Sequence, residues 1–190
     1  MSNAPSPTPP SEPTHAPVFP KKRRRWLWLV ELAVFIGIFW AVRAYMAPHI
    51  PPQFTEHPLP IITAPTVDGG TATIAANGKP TLIVFWATWC GVCHIELPWL
   101  NNLAKTEQIY TIALQSGSTE EVRAYLAKNQ LNHLTVINDP DGQIAKQFGV
   151  GVTPTLFFLN PDGRIAMSET GITSPWGIRL RLWWLGFAPF

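Results

Sequence analysis

Two cysteines, Cys90 and Cys93, are the only ones in the 190-residue chain. They stand three positions apart and follow the run Thr81 to Trp86, which has the apolar composition of a buried strand. Cysteines at this spacing can close a small disulfide or open to a reactive dithiol. If a helix begins at Cys90, its free N–H groups and its dipole favour a thiolate, the reactive form of cysteine. The spacing therefore predicts thiol chemistry.

A second chemistry is compatible with the same segment, because His94 extends the pattern to Cys90-Gly91-Val92-Cys93-His94. That spacing is used for covalent attachment of haem, with the histidine as an axial ligand of the iron. A haem-attachment segment is not expected at the end of a buried strand, whereas a redox dithiol is. We favour the dithiol and keep a haem electron-transfer protein as the alternative.

The N-terminal part of the chain is unlike the rest in composition. Residues 1–20 contain seven prolines, and a basic cluster follows at residues 21–25. Such a segment buries too little apolar surface to offset the loss of chain entropy. We predict that residues 1–25 form a disordered cytoplasmic tail that ends in the basic cluster.

An apolar segment follows at residues 26–46, and as a helix it would reach about 30 Å, the hydrocarbon thickness of a bilayer. Five basic residues precede it and one, Arg43, lies just inside its far end, an asymmetry that places the N-terminus in the cytoplasm. A cleaved secretory signal is the alternative, although its apolar region is usually shorter. We predict a single-pass anchor in a bacterial inner membrane and a periplasmic domain, a compartment in which disulfides persist.

Beyond the anchor, a Pro-rich linker is predicted at residues 47–58 and one folded domain at residues 59–190. After residue 50 there are eight Lys and Arg against ten Asp and Glu, so nothing indicates nucleic-acid binding. The pattern predicts a mixed α/β sheet flanked by helices. Its expected elements are a hairpin turn at 67–71, strands at 81–86, 109–114, 134–137, 155–159 and 164–167, and helices at 91–105, 118–129 and 144–148.

A final helix is predicted from the cap Ser174 to about Leu185, and it is rich in tryptophan. Its apolar residues are more numerous than one packed face requires. Packing against the core is one interpretation. A tryptophan patch that faces a membrane or a partner is the other.

Four features of the sequence carry a resemblance to a known family. Phe85 to Cys93 resembles the active-site segment of thioredoxin-fold proteins, and Val152 to Leu156 resembles their cis-proline loop. The N-terminal hairpin is similar to that of the membrane-anchored bacterial branch that includes the cytochrome c maturation thioredoxins. Thr170 to Trp183 resembles the C-terminus of the anchored disulfide oxidoreductases encoded with suppressors of copper sensitivity.

The resemblance implies a thioredoxin fold with an N-terminal hairpin extension, and it implies roles for individual residues. Cys90 would be the exposed attacking thiol and Cys93 the deeper resolving thiol of a redox-active disulfide. Trp89, Thr153 and Pro154 would bind substrate, with the bond before Pro154 cis. Without the resemblance, a trans proline would be expected.

The sequence departs from the family in the acid near the cysteines. Where family members have a buried acidic residue on the strand before the motif, it would align with Val84, so this chain lacks that acid. Glu96 is a candidate third catalytic residue, which would take the proton of Cys93. The alternative is a first-turn carboxylate that only complements the helix dipole. His94 could favour thiolates, but a solvated helix histidine is the simpler interpretation.

These observations predict an anchored periplasmic thiol:disulfide oxidoreductase, acting as a reductase, with no metal and no organic cofactor. Its substrates would be protein thiols and disulfides, and its electrons would be exchanged with an integral membrane partner. A non-enzymatic module that binds thiols or metal is a further alternative, beside the haem protein.

Overall fold

The computed structural model describes residues 21–46 and 57–187 of the chain. The chain divides into two compact units, Met1–Ala44 and Tyr45–Phe190. The predicted tail at residues 1–20 and most of the predicted linker, residues 47–56, lie outside the described residues. The thiol motif belongs to the second unit.

Helix α1 spans Lys21–Met46 and contains the segment predicted as an anchor. Its side chains from Trp26 to Val42 are all exposed. Within the two described ranges, no helix is both long enough and apolar enough to cross a membrane. The transmembrane helix therefore stays a prediction.

A five-stranded mixed sheet forms the centre of the second unit. The strands are β3 (Thr81–Trp86), β4 (Ile109–Leu114), β5 (Thr135–Asp139), β6 (Thr155–Leu159) and β7 (Ile165–Thr170). Their order in the sheet is β5-β4-β3-β6-β7, in which β3, β4 and β5 are parallel, while β6 is antiparallel to both β3 and β7. This arrangement confirms the predicted mixed sheet.

An antiparallel hairpin precedes the sheet, as predicted, and consists of β1 (Ile62–Pro65) and β2 (Thr71–Ile74). It is joined to the sheet edge through Val67, whose N–H donates to the Val136 carbonyl at 2.9 Å. Among the described residues of this unit there are four helices, and their bounds are α2 (Gly91–Leu103), α3 (Thr119–Lys128), α4 (Gln143–Gln147) and α5 (Pro175–Phe187).

Strand β3 is fully buried and supplies both faces of the core, because successive side chains of a strand point to opposite sides. Leu82, Val84 and Trp86 belong to the cluster that contains the buried residues of α2, α3 and α5. Ile83 and Phe85 belong to the cluster that contains the hairpin and α4. The sheet is thus covered by helices on both faces, and its central strand ends immediately before the thiol motif.

Local sequence explains where several of these elements begin and turn. Ser118 and Glu121 form the predicted capping box at the start of α3. The turn between β6 and β7 contains Gly163 at φ +86°, where an added Cβ would lie 3.0 Å from the Cβ of Ala76. Only glycine meets both conditions without strain. The turn therefore packs directly against the segment that leads into β3.

Helix α5 has both a face packed against the core and an exposed tryptophan patch, the two alternatives considered for it. Ile178, Leu182 and Leu185 are buried against the core. Trp176 and Trp184, in contrast, are 81% and 62% exposed. One face of α5 therefore packs, and a second apolar face is uncovered.

Candidate functional site

The two cysteines lie at the junction between the end of β3 and the start of α2, and they form a disulfide. Cys90 is the N-cap of α2, and its Sγ accepts the Cys93 N–H at 3.2 Å. The first turn of α2 contains no acidic side chain. Because the free N–H groups and dipole of a helix start favour negative charge, this position stabilises a thiolate on Cys90 after reduction.

The accessibility of the two sulfur-bearing residues differs, but both are largely covered. Cys90 is 7% exposed and Cys93 is 1% exposed. The expectation of an exposed Cys90 is therefore wrong for the disulfide form, although Cys90 is the more accessible of the two. The loop before β6 covers part of Cys90, because the Thr153 carbonyl oxygen lies 3.6 Å from its Sγ.

This loop is the predicted cis-proline loop, and the Thr153–Pro154 peptide bond is cis. Thr155 Oγ1 donates to the Val152 carbonyl at 2.7 Å and fixes the loop at the start of β6. In the disulfide, Cys90 Sγ carries no hydrogen, so the Thr153 carbonyl is in contact with it and accepts no hydrogen bond. Reduction supplies a thiol hydrogen that this carbonyl can accept.

Trp89 stands at the surface beside the disulfide, with 63% of its area exposed. Its indole N–H donates to the Gln115 carbonyl at 2.9 Å. The preceding residue, Thr88, donates its N–H to Ser116 Oγ at 3.0 Å. Two residues directly after β4 thus hold the segment that presents Trp89.

Neither Gln115 nor Ser116 was among the predicted site residues. A signal was present, because the carboxyl ends of adjacent parallel strands meet at the same edge of a sheet. Residues that follow β4 therefore had to lie beside the motif that follows β3. Gln115 is also one of the non-glycine residues with positive φ, at +45°. Such backbone conformations are concentrated at functional sites.

His94 is exposed on α2, in agreement with the simpler interpretation, but its ring is not free. Its Nε2 lies 2.9 Å from the Thr88 carbonyl oxygen, a hydrogen bond when that nitrogen carries the proton. The ring also packs against Tyr125, with centroids 5.6 Å apart. His94 therefore holds Thr88 through its carbonyl group, whereas Ser116 holds the same residue through its N–H.

Glu96 is buried, with 1% of its area exposed, and its Oε1 accepts the Thr173 N–H at 2.8 Å. The first-turn interpretation is wrong, because Glu96 lies in the second turn of α2 and faces the core. Burial raises the pKa of the carboxyl from its ordinary value of 4.5 to about 7, and the hydrogen bond from Thr173 opposes the rise. Glu96 and Cys93 are three residues apart and share one face of α2, since such pairs are neighbours on a helix.

A cavity of about 610 Å³ opens beside the disulfide. Trp89 and Gln115 line it together with Thr153 of the cis-proline loop. Asp141 and Lys146 add charges of both signs to its wall. Neither cysteine lines this cavity, but Thr153 connects it to the disulfide, and its size suits a short extended peptide segment.

The arrangement does not favour the haem alternative. Cys93 is almost fully buried and His94 uses a ring nitrogen for the Thr88 carbonyl. The geometry suits exchange between sulfur atoms.

Comparison with known proteins gives a consistent result. Residues 55–168 match the model of the AhpC/TSA family. A thioredoxin-like protein of Haemophilus influenzae is 40% identical over 129 residues, which cover 66% of this chain and 76% of that protein. The thiol:disulfide interchange protein DsbE of Pseudomonas fluorescens biotype C is 34% identical over 155 residues, which cover 78% and 86%.

Among solved structures, a secreted disulfide oxidoreductase of Mycobacterium tuberculosis is similar to this chain with a TM-score of 0.53 and 26% identity. The similarity covers 64% of this chain and 93% of that chain.

Proposed function

Because the chain belongs to the AhpC/TSA family and has the predicted thioredoxin fold, we propose that it is a thiol:disulfide oxidoreductase of the DsbE type. The observation that carries the proposal is the Cys90–Cys93 disulfide at the start of α2, beside the cis-proline loop. The substrates are protein thiols and disulfides.

The exchange proceeds through a mixed disulfide. The Cys90 thiolate attacks one sulfur of a substrate disulfide, which breaks the substrate S–S bond and releases one substrate thiol after protonation. Cys93 then loses its proton and attacks Cys90 Sγ, which closes the Cys90–Cys93 disulfide and releases the second substrate thiol. Two electrons pass from the dithiol to the substrate, and the reverse sequence oxidises a substrate dithiol.

Local structure supports a distinct role for each neighbour of the pair. Trp89 and Thr153 line the cavity in which an extended substrate segment would lie. The Thr153 N–H has no hydrogen-bond partner among the described residues, so it can donate to a carbonyl of the substrate backbone. Glu96 has a pKa of about 7, so near neutral pH it can accept the proton of Cys93 as that thiol becomes nucleophilic.

Trapping of the intermediate tests this function. In a Cys93→Ala variant, Cys90 forms a mixed disulfide that no resolving thiol can break, so covalent complexes with substrate proteins accumulate. The matched control is Cys90→Ala, which retains only the buried thiol and should trap far less. Equal trapping by the two variants, or none by either, would contradict the assigned roles.

We propose further that the protein acts as a reductase. The support is Glu96, because a carboxylate buried one turn beyond Cys93 opposes thiolates when it is ionised. This charge offsets part of the stabilisation that the helix start gives the Cys90 thiolate, and a less stable thiolate makes the reduced protein a stronger electron donor. Rapid acid quenching of cells, followed by alkylation, should find the pair mainly reduced. A pair that is mainly disulfide under the same conditions would indicate an oxidant.

For its location, we propose a bacterial inner membrane, with the N-terminus cytoplasmic, the segment 26–46 as anchor and the thioredoxin-like domain periplasmic. The support is the basic cluster before an apolar segment whose described side chains are exposed. An integral membrane partner would then exchange electrons with the pair, because tethering raises the effective concentration of both. Retention in the membrane after alkaline extraction, with the domain sensitive to protease added from the periplasmic side, is the expected result. Extraction with the soluble proteins would refute the anchor.

A further inference from the structure

Helix α5 carries an uncovered apolar face on the side away from the core. We refer to it as the outer face of α5, and it consists of Trp176 (81% exposed), Leu180 (63%), Trp183 (58%), Trp184 (62%) and Phe187 (73%). The spacing of these residues is that of one stripe along a helix. Soluble monomeric proteins rarely expose so many large apolar side chains together, and such patches mark interaction sites.

The outer face is not required for packing. The opposite stripe of α5 supplies the core contacts, through Ile178, Leu182 and Leu185. Trp183 and Phe187 contact each other at the surface, with ring centroids 5.1 Å apart. Substitution of the exposed rings should therefore leave the fold intact.

The charges of α5 suit a phospholipid surface. The helix contains no acidic residue, and of its two arginines Arg181 is ion-paired with Glu169 at 2.9 Å, which leaves Arg179 as the cation for a lipid surface. Arg179 lies beside the outer face, is half exposed, and meets Glu107 only at 3.9 Å. Its guanidinium can extend toward anionic headgroups while its aliphatic stem lies along the apolar stripe. Tryptophan rings concentrate at this same depth of a bilayer.

The chain enters the domain at the end of the sheet where α5 finishes. Leu59 donates its N–H to the Gly163 carbonyl at 2.9 Å, in the turn after β6. At this end of the sheet, Pro80 leads into β3, and an added Cβ on Gly186 would lie 3.6 Å from Pro80 Cγ. The last turn of α5 therefore lies next to the start of β3.

The connecting segment is short. Ten residues, 47–56, separate Met46 from His57, and fully extended they span at most about 35 Å. If residues 26–46 are held in a bilayer, the point at which the chain enters the domain stays within that distance of the lipid. A lipid surface is therefore the partner that the outer face of α5 meets at the highest local concentration.

We propose that the outer face of α5 lies in the headgroup region of the membrane that holds the anchor, so that the helix rests parallel to the bilayer plane. The proposal rests on the proposed membrane location. It has a consequence for function, because the segment before α5 contacts the thiol site through the Thr173 to Glu96 hydrogen bond. The start of α5, and with it Glu96 of the thiol site, is then held near the lipid surface, on the side from which a membrane-embedded electron-transfer partner would approach.

Flotation of the reconstituted full chain tests this docking. The protein is placed in vesicles of phosphatidylethanolamine and phosphatidylglycerol, with a protease recognition sequence substituted for residues 50–56. After cleavage, the fraction of the released domain that floats with the vesicles is measured. The variant is Trp183→Ser/Trp184→Ser/Phe187→Ser, and the matched control is Ile61→Ser, an isoleucine that is 72% exposed.

The wild-type domain and the Ile61→Ser control should stay on the vesicles after cleavage, and the triple variant should lose at least about tenfold in its partition to lipid. Equal release of all three proteins, or equal retention, would overturn the proposal. So would retention that needs an added membrane protein, because the surface would then bind protein. Failure of the uncleaved chain to float would instead refute the membrane location, whereas the proposed function is tested separately by trapping with Cys93→Ala.

Discussion

Replacement of Glu96 by glutamine is the perturbation that tests the structure of the site most sharply. The carboxyl is 1% exposed and accepts the Thr173 N–H at 2.8 Å. The substitution Glu96→Gln keeps an oxygen that can accept this hydrogen bond and removes the titration, while the buried NH2 that it adds has an effect independent of pH. Any difference in the pH dependence of stability between the two proteins therefore reports on this one carboxyl.

The sign and size of the effect follow from the pKa. Burial raises the pKa of Glu96 from 4.5 to about 7 in the folded protein. Between these values the folded state binds more protons than the unfolded state, so the free energy of unfolding falls as the pH rises. The contribution is fully present below pH 4.5 and is lost as the pH rises through about 7. At about 1.4 kcal/mol per unit of pKa difference, the loss is about 3 kcal/mol.

Urea denaturation of the oxidised wild type and of Glu96→Gln, from pH 4 to pH 8, measures this loss. The variant should gain about 3 kcal/mol relative to the wild type across the range. Glu120→Gln, which removes an exposed carboxylate from α3, is the control for the change in net charge. Stability curves of wild type and Glu96→Gln that stay parallel would refute the raised pKa. The role proposed for Glu96 in deprotonating Cys93 would lose its support as well.

Three further substitutions test the surroundings of the disulfide. Ser116→Ala removes the acceptor of the Thr88 N–H and should lower the free energy of unfolding by about 1 kcal/mol in urea titrations, with slower exchange in a disulfide-reduction assay. Trp89→Phe keeps an aromatic surface but loses the indole N–H, so KM for a protein disulfide should rise in steady-state kinetics, with stability changed by less than about 1 kcal/mol. Ser118→Ala removes the cap of α3 and should cost about 1 kcal/mol by denaturation, with exchange rates unchanged.

Outcomes that reverse these patterns would be informative. A Ser116→Ala protein with full stability would show that water replaces the serine oxygen. A Trp89→Phe protein with unchanged KM would remove the indole hydrogen bond from substrate binding. Slower exchange in Ser118→Ala would show that α3 affects the site, in contrast to the local effect expected of a helix cap.

Much of the fold follows from local pattern. Strands β3, β4 and β6 begin and end where the apolar runs do, because a buried strand must be apolar on both sides. Strands β5 and β7 extend beyond their apolar runs, to Asp139 and Thr170. Their polar ends are strand because backbone groups pair with Leu114 and Thr155 on the neighbouring strands. No side-chain pattern reports that pairing.

Some parts of the functional site could likewise be predicted from local sequence, and others could not. The positions of Cys90 and Pro154 were available from motifs, because the spacing of such residues along the chain is itself the signal. The burial of Glu96 was not, because it depends on a segment 77 residues away that folds across α2 and presents the Thr173 N–H. The contacts of Ser116 and Gln115 also depend on which strand lies beside β3.

Equilibration of the purified protein with glutathione buffers of graded potential tests the thiol chemistry most directly. After alkylation, intact-mass measurement should show a single two-electron transition, in which Cys90 and Cys93 gain or lose their alkyl groups together. For a reductase, the midpoint should lie nearer the value of about −270 mV of thioredoxin than the value of about −120 mV of a strong oxidant. A pair that never changes state across the buffers, or a mass increase from covalent haem, would contradict a redox-active dithiol.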